Sequence, residues 1–149
     1  MIPDYERYHG VVIREIIVKA PSLLQIGAIG GSGRVSSFCI NGKTAVHIKH
    51  CAKRLAPWRF TFTDDNRLEI GRLQSRFESV WLAFVCGVDG IVSLSISEFH
   101  DVTENRMNSA RFIRIDRDRN TMYRVFGNAG KLGMAKRRGV SEIVSDAIS

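Results

Sequence analysis

Val35-Ser36-Ser37-Phe38-Cys39-Ile40-Asn41-Gly42-Lys43-Thr44-Ala45-Val46-His47-Ile48-Lys49-His50 is the stretch on which the fold turns. Two β-prone runs, Val35 to Ile40 and Lys43 to His50, flank Asn41-Gly42, the preferred pair for a two-residue type I′ turn. A turn of that length predicts a register with Ile40 opposite Lys43, Phe38 opposite Ala45, Ser36 opposite His47 and Arg34 opposite Lys49. Directly paired residues share a face. Arg34, Ser36, Phe38, Ala45, His47 and Lys49 are therefore expected on one face, with Val35, Ser37, Cys39, Thr44, Val46 and Ile48 on the apolar other.

Working outward, Pro3 suits a first helical turn, and Tyr5 to Lys19 repeats Tyr5, Tyr8, Val12 and Ile16 at helical spacing. Gly10 and the β-branched residues from Val11 to Val18 argue for a strand instead; helix is the reading adopted. Gly27 to Gly33 reads as a loop or irregular bend. Downstream, Trp58 to Thr63 alternates aromatic and polar residues and predicts a strand with one aromatic face. Thr63 or Asp64 can cap a helix to about Phe77. Val80 to Cys86 predicts a central strand buried on both faces. Gly87 to Gly90 turns it back into Ile91 to Ile96. Ser97 is the expected cap of a short helix to about Val102, and Thr103 to Ser109 is expected to be a loop. Arg111 to Arg117 and Met122 to Phe126 form a second hairpin, whose exposed edge is expected to be able to pair with a second copy in a homodimer. The expected fold is a single α+β domain over residues 1–130 with a mixed, mainly antiparallel sheet, followed by a basic tail, 131–149, that ends in a short helix from Ser141 to Ile148.

Charge is segregated along this order. Residues 16–63 hold no acid and carry Lys19, Arg34, Lys43, Lys49, Lys53, Arg54 and Arg59, whereas the rest of the chain has 15 basic and 15 acidic groups. The whole net charge of +7 thus arises in one stretch. Such segregation attracts an anionic partner, of which nucleic acid is the commonest. The longest apolar run, Val80 to Cys86, is far short of the ~20 residues that cross a bilayer. The first six residues lack the pattern of a secretory signal, and three unpaired-looking cysteines fit a reducing compartment. A cytoplasmic protein without a membrane partner is expected.

The chemical motifs are incomplete. Gly42-Lys43-Thr44 matches the end of a phosphate-binding loop, but Ser37 stands where a glycine is required and a strand follows, so the hairpin turn explains it. Cys39, His47, His50 and Cys51 are not spaced as structural zinc ligands, and no metal is expected there. His9 with Glu15, and Asp116 with Asp118, lack the spacing or isolation of a catalytic pair. Trp58 is able to stack on a base, although its alternation with Phe60 and Phe62 favours the core. The strongest functional segment is Arg34 to Arg59, in which Arg34, Lys43, His47, Lys49, Lys53, Arg54 and Arg59 are the expected nucleic-acid contacts.

Two resemblances add to this. The segment Ile48-Lys49-His50-Cys51-Ala52-Lys53-Arg54-Leu55-Ala56-Pro57-Trp58-Arg59-Phe60-Thr61-Phe62, with Tyr8-His9-Gly10 and Cys86-Gly87-Val88-Asp89-Gly90, resembles a family of small uncharacterised bacterial proteins over residues 5–130; it implies little chemistry. The element order helix, three strands, helix, strand is similar to the core of restriction-endonuclease-like nucleases. That resemblance implies an acid on the second strand, an acid-x-Lys on the third and metal ions that activate water. Glu15 would be the helix acid, Lys49 the motif lysine, and Asp64 or Asp65 additional ligands. No carboxylate stands on the second strand, and His47 occupies the acid position of His47-Ile48-Lys49. The expected function is a DNA- or RNA-binding module without a cofactor. The alternatives are a divergent Mg²⁺- or Mn²⁺-dependent nuclease using Glu15, His47 and Lys49, and an accessory protein acting through a protein partner.

Overall fold

The computed structural model describes residues 1–30, 34–104 and 110–149. Parts of two expected loops, 31–33 and 105–109, lie outside the described residues. The chain forms one α+β domain built on two sheets. The expectation of one sheet is thereby refined: the second hairpin joins the aromatic strand, not the first hairpin.

The first sheet has the order β1 (Ile26–Ile29), β2 (Ser37–Ile40), β3 (Thr44–Cys51), β5 (Ser79–Cys86) and β6 (Gly90–Ser95). All neighbours are antiparallel except β3 and β5, which run parallel because α2 (Asp64–Arg76) crosses between them. The second sheet has the order β4 (Trp58–Phe62), β7 (Arg111–Asp116), β8 (Arg124–Gly127) and β9 (Gly130–Lys131), antiparallel throughout. Gly27, expected in a loop, belongs to β1.

The first hairpin forms, but its register is one residue off the expectation. Ile40 pairs with Thr44, Cys39 with Ala45, Phe38 with Val46 and Ser37 with His47. Asn41 and Gly42 both have positive φ, 54° and 67°, as a type I′ turn requires. Lys43, however, leaves the ladder: its carbonyl accepts from the N–H groups of Glu78 and Ser79 at the entry to β5. A slip of one residue exchanges the faces of a strand. Ser37 and Cys39, not Ser36 and Phe38, therefore share the side of His47.

α1 (Asp4–Lys19) is helical despite its β-branched residues because one stripe, His9, Val12 and Ile16, is buried. It lies with α4 (Ser141–Ile148) against Ile40, Val46, Ile48, Ala83 and Val85. On the opposite face of the first sheet, Leu82, Phe84, Val92 and Leu94 meet Trp58, Phe60, Ile113 and Ile115 of the second sheet and Ile70 of α2. Thr63 caps α2 reciprocally with Asn66, which stabilises the helix by about 1 kcal/mol. The expected cap Ser97 is corrected to Ser95, paired with Glu98 at the start of α3 (Ile96–Val102).

Residues 131–149 are corrected from a tail to an integral part of the domain. Ile143, Val144 and Ala147 are core residues, and buried Lys136 pairs with Glu98 at 3.0 Å and Glu142 at 2.7 Å. The expected exposed edge at the second hairpin is also corrected: β7 and β8 are both flanked by strands, and the edges of that sheet are β4 and β9. Among the described residues no helix is long and apolar enough to cross a membrane.

Candidate nucleic-acid interface

β3 outruns β2. The β2–β3 pairing ends at Ser37 and His47, and beyond it only the Ile48 N–H reaches that side, donating to Ser36 O at 2.9 Å. α2 crosses this opening. The result is a cleft of about 620 Å³ lined by Arg34, Ser36, His47, Ile48, Lys49 and His50 on one side, and by Thr63, Asp65, Asn66, Leu68, Glu69 and Arg72 of α2 and its cap on the other. A second cleft of about 500 Å³ shares Arg34, Glu69 and Arg72 and continues past Ile29 and Gly30 to Arg76. Together they make one groove along α2. Asp65, Glu69, Arg72 and Arg76 follow one another at helical spacing on its wall, over a rise of roughly 16 Å.

At the floor, His47 and Ser37 are fully buried. His47 Nδ1 donates to Glu69 Oε2 at 2.9 Å, and Ser37 Oγ lies 2.9 Å from the same nitrogen. His47 Nε2 is buried without a partner among the described residues. The His47 bond holds the Glu69 carboxyl below the usual glutamate range, against the upward push of burial; Ser37 and Arg72 add to the lowering. A carboxyl depressed in the folded state stabilises the fold above its unfolded value, and that contribution disappears as the pH falls through the folded value. Glu69→Gln is therefore expected to flatten the acid limb of stability below about pH 4.5. Urea midpoints measured against pH check this; wild type and variant declining in parallel would contradict it.

Lys49 is more than a free cation. Its Nζ donates to Thr61 O at 2.8 Å and Asn66 Oδ1 at 3.1 Å, which ties β3 to β4 and to the head of α2. One ammonium donor remains for a ligand. Burial, then Arg34, push its pKa down, while Glu69 pulls it back up. His50, stacked on Tyr8, is lowered by burial, then Arg34 and Lys49, against Asp4. His9 is lowered to about 4 by burial and then by Arg34, so it is neutral at pH 7. Imidazoles held neutral beside Arg34 leave the arginines as the charges that face an anion.

The seven expected contact residues do not form one patch. Arg34, His47 and Lys49 line the groove. Lys43 does not line it: its Nζ donates to Ser149 O at 2.6 Å. Lys53 and Arg54 are exposed in the loop beyond the C-terminal end of β3. Arg59 points away on the second sheet, its guanidinium 3.8 Å from the Phe112 ring centre. Trp58 is 1% exposed and donates through Nε1 to Lys53 O at 2.8 Å, so it cannot meet a base.

Glu15 is not among the groove residues, and Asp64 pairs with Arg67 at 3.7 Å on the far side of the cap from Asp65. β2 carries no carboxylate. Among the described residues no three of His, Cys, Asp and Glu are grouped so as to hold a metal ion. The carboxylate that does reach His47, Glu69, and the cations Arg72 and Arg76 were missed in the sequence. Their only signal was the i, i+3, i+4 spacing from Asp65 to Arg76 on an otherwise polar helix. Comparison with protein-family models, with curated proteins and with solved structures gives no match.

Proposed function

We propose that this protein binds nucleic acid along the groove between α2 and the β2–β3 hairpin, with Arg34, Lys49, Arg72 and Arg76 set against backbone phosphates. One observation carries this reading. Arg34, Arg72 and Arg76 come from distant parts of the chain, line one groove and make no ion pair among the described residues. Guanidinium groups with unused donors match phosphate oxygens in pairs. The two carboxylates that share the groove do not cancel them: Glu69 is engaged by His47 and Ser37, which leaves Asp65 as the opposing exposed charge.

Titration of labelled duplex DNA, single-stranded DNA and RNA against salt tests the proposal. Four phosphate contacts predict binding about 100-fold weaker at ~200 mM than at ~50 mM salt. Binding that ignores salt, or none at low salt, would contradict it. With Mn²⁺ added, the nucleic acid is expected to stay intact on a gel; cleavage would move the protein to the nuclease class instead.

A further inference from the structure

The outward face of the second sheet holds a different kind of surface. In an antiparallel sheet with one face on the core, the other face is ordinarily polar. Here the inward residues are Trp58, Phe60, Phe62, Ile113, Ile115 and Val125, all buried. The outward residues include two more aromatics, Phe112 on β7 and Phe126 on β8, which belong to no core cluster. Phe126 pairs directly with Arg114, and Phe112 sits two residues before Arg114 on the same strand. The two rings are therefore diagonal neighbours, roughly 7–8 Å apart by sheet geometry.

Cations frame both rings. The Arg59 guanidinium lies 3.8 Å from the centre of Phe112, Arg114 lies 4.1 Å from that of Phe126, and Lys131 Nζ approaches Phe126 at 5.5 Å. Asp116 is the acid on this face, and Arg114 and Arg124 flank it at 3.7 and 3.8 Å. The face is net positive, aromatic and open on a rigid four-stranded support. Rings and guanidinium planes of this kind stack on unpaired bases, and the cations follow the backbone that joins them. A duplex keeps its bases stacked on one another and offers nothing to Phe112 or Phe126.

We infer that this face is a second binding site, for single-stranded nucleic acid, in which neighbouring bases of one strand stack on Phe112 and Phe126 while Arg59, Arg114 and Lys131 meet its phosphates. The site extends the nucleic-acid reading of the groove but rests on separate residues. Arg59, which the sequence groups with the groove cations, acts here instead.

The test compares a single strand, the same strand with abasic sites, and a duplex, each against wild type, the double variant Phe112→Ala/Phe126→Ala and the groove variant Arg72→Ala/Arg76→Ala. The Phe variant is expected to bind the single strand at least about 10-fold more weakly and the duplex within about twofold of wild type. The groove variant is expected to weaken both. Because the Phe variant risks its own fold, wild type is also photocrosslinked to a 5-iodouracil strand, with an adduct expected at Phe112 or Phe126. Equal binding of abasic and base-bearing strands, or adducts only elsewhere, would overturn the inference while duplex binding in the groove still stands. Loss of all binding by wild type would overturn both. Loss of self-association by the Phe variant, with single-strand affinity unchanged, would assign the face to a second copy of this chain and overturn the site.

Discussion

Replacing Arg34, Arg72 and Arg76 together by Ala is expected to weaken nucleic-acid binding about 100-fold at moderate salt and to make the salt dependence shallower by about 2.7 in log–log slope. The slope decides the matter, because each phosphate contact releases a fixed share of counterions whatever the sequence bound. Stability should barely change. All three side chains are exposed, and substitutions at such positions fall within about 0.5 kcal/mol. Removing Arg14 and Lys19 of α1, which line no part of the groove, provides the charge control and should cost little affinity. If that control weakens binding as much as the groove variant, net charge and not the groove attracts the ligand.

Trp58→Ala is expected to destabilise the protein by about 3–5 kcal/mol while leaving the affinity of the folded fraction unchanged. The ring is fully buried among Phe60, Tyr123 and Val92, and its Nε1–H is the partner of Lys53 O. Truncation opens a cavity and strands that carbonyl at the point where the loop after β3 closes onto Gly87. A Cβ on Gly87 would overlap the Lys53 carbonyl oxygen, and its φ of +54° is one that side chains avoid, so the packing there has no slack. Chemical denaturation read by circular dichroism measures the loss, and binding is then measured under conditions where the variant is folded. A stable variant with lost affinity would return Trp58 to the interface.

The alternation of Trp58, Phe60 and Phe62, the Asn41-Gly42 turn and the apolar run from Val80 made most elements legible, because each is a local pattern with one physical solution. The register of the first hairpin was not legible. It depends on the Lys43 carbonyl being taken by Glu78 and Ser79, a contact over thirty residues along the chain. The division into two sheets was hidden for the same reason, since β4 finds its partner only at Arg111 to Ile115. Charge segregation pointed to a basic surface, and Arg34 and Lys49 do line the groove. Segregation could not show that Lys43 serves α4, that Arg59 serves the second sheet, or that Arg72 and Arg76 complete the groove from a stretch whose charges balance. Proximity in sequence had stood in for proximity in space.

The central claim is that the groove itself receives the nucleic-acid backbone, and arginine side-chain NMR of the wild-type protein reads this most directly. On titration with a short duplex, the Nε–Hε signals of Arg34, Arg72 and Arg76 should shift together and saturably, with those of Arg14, Arg114 and Arg124 unmoved. Saturable shifts confined to arginines outside the groove, with Arg34, Arg72 and Arg76 silent, would contradict it.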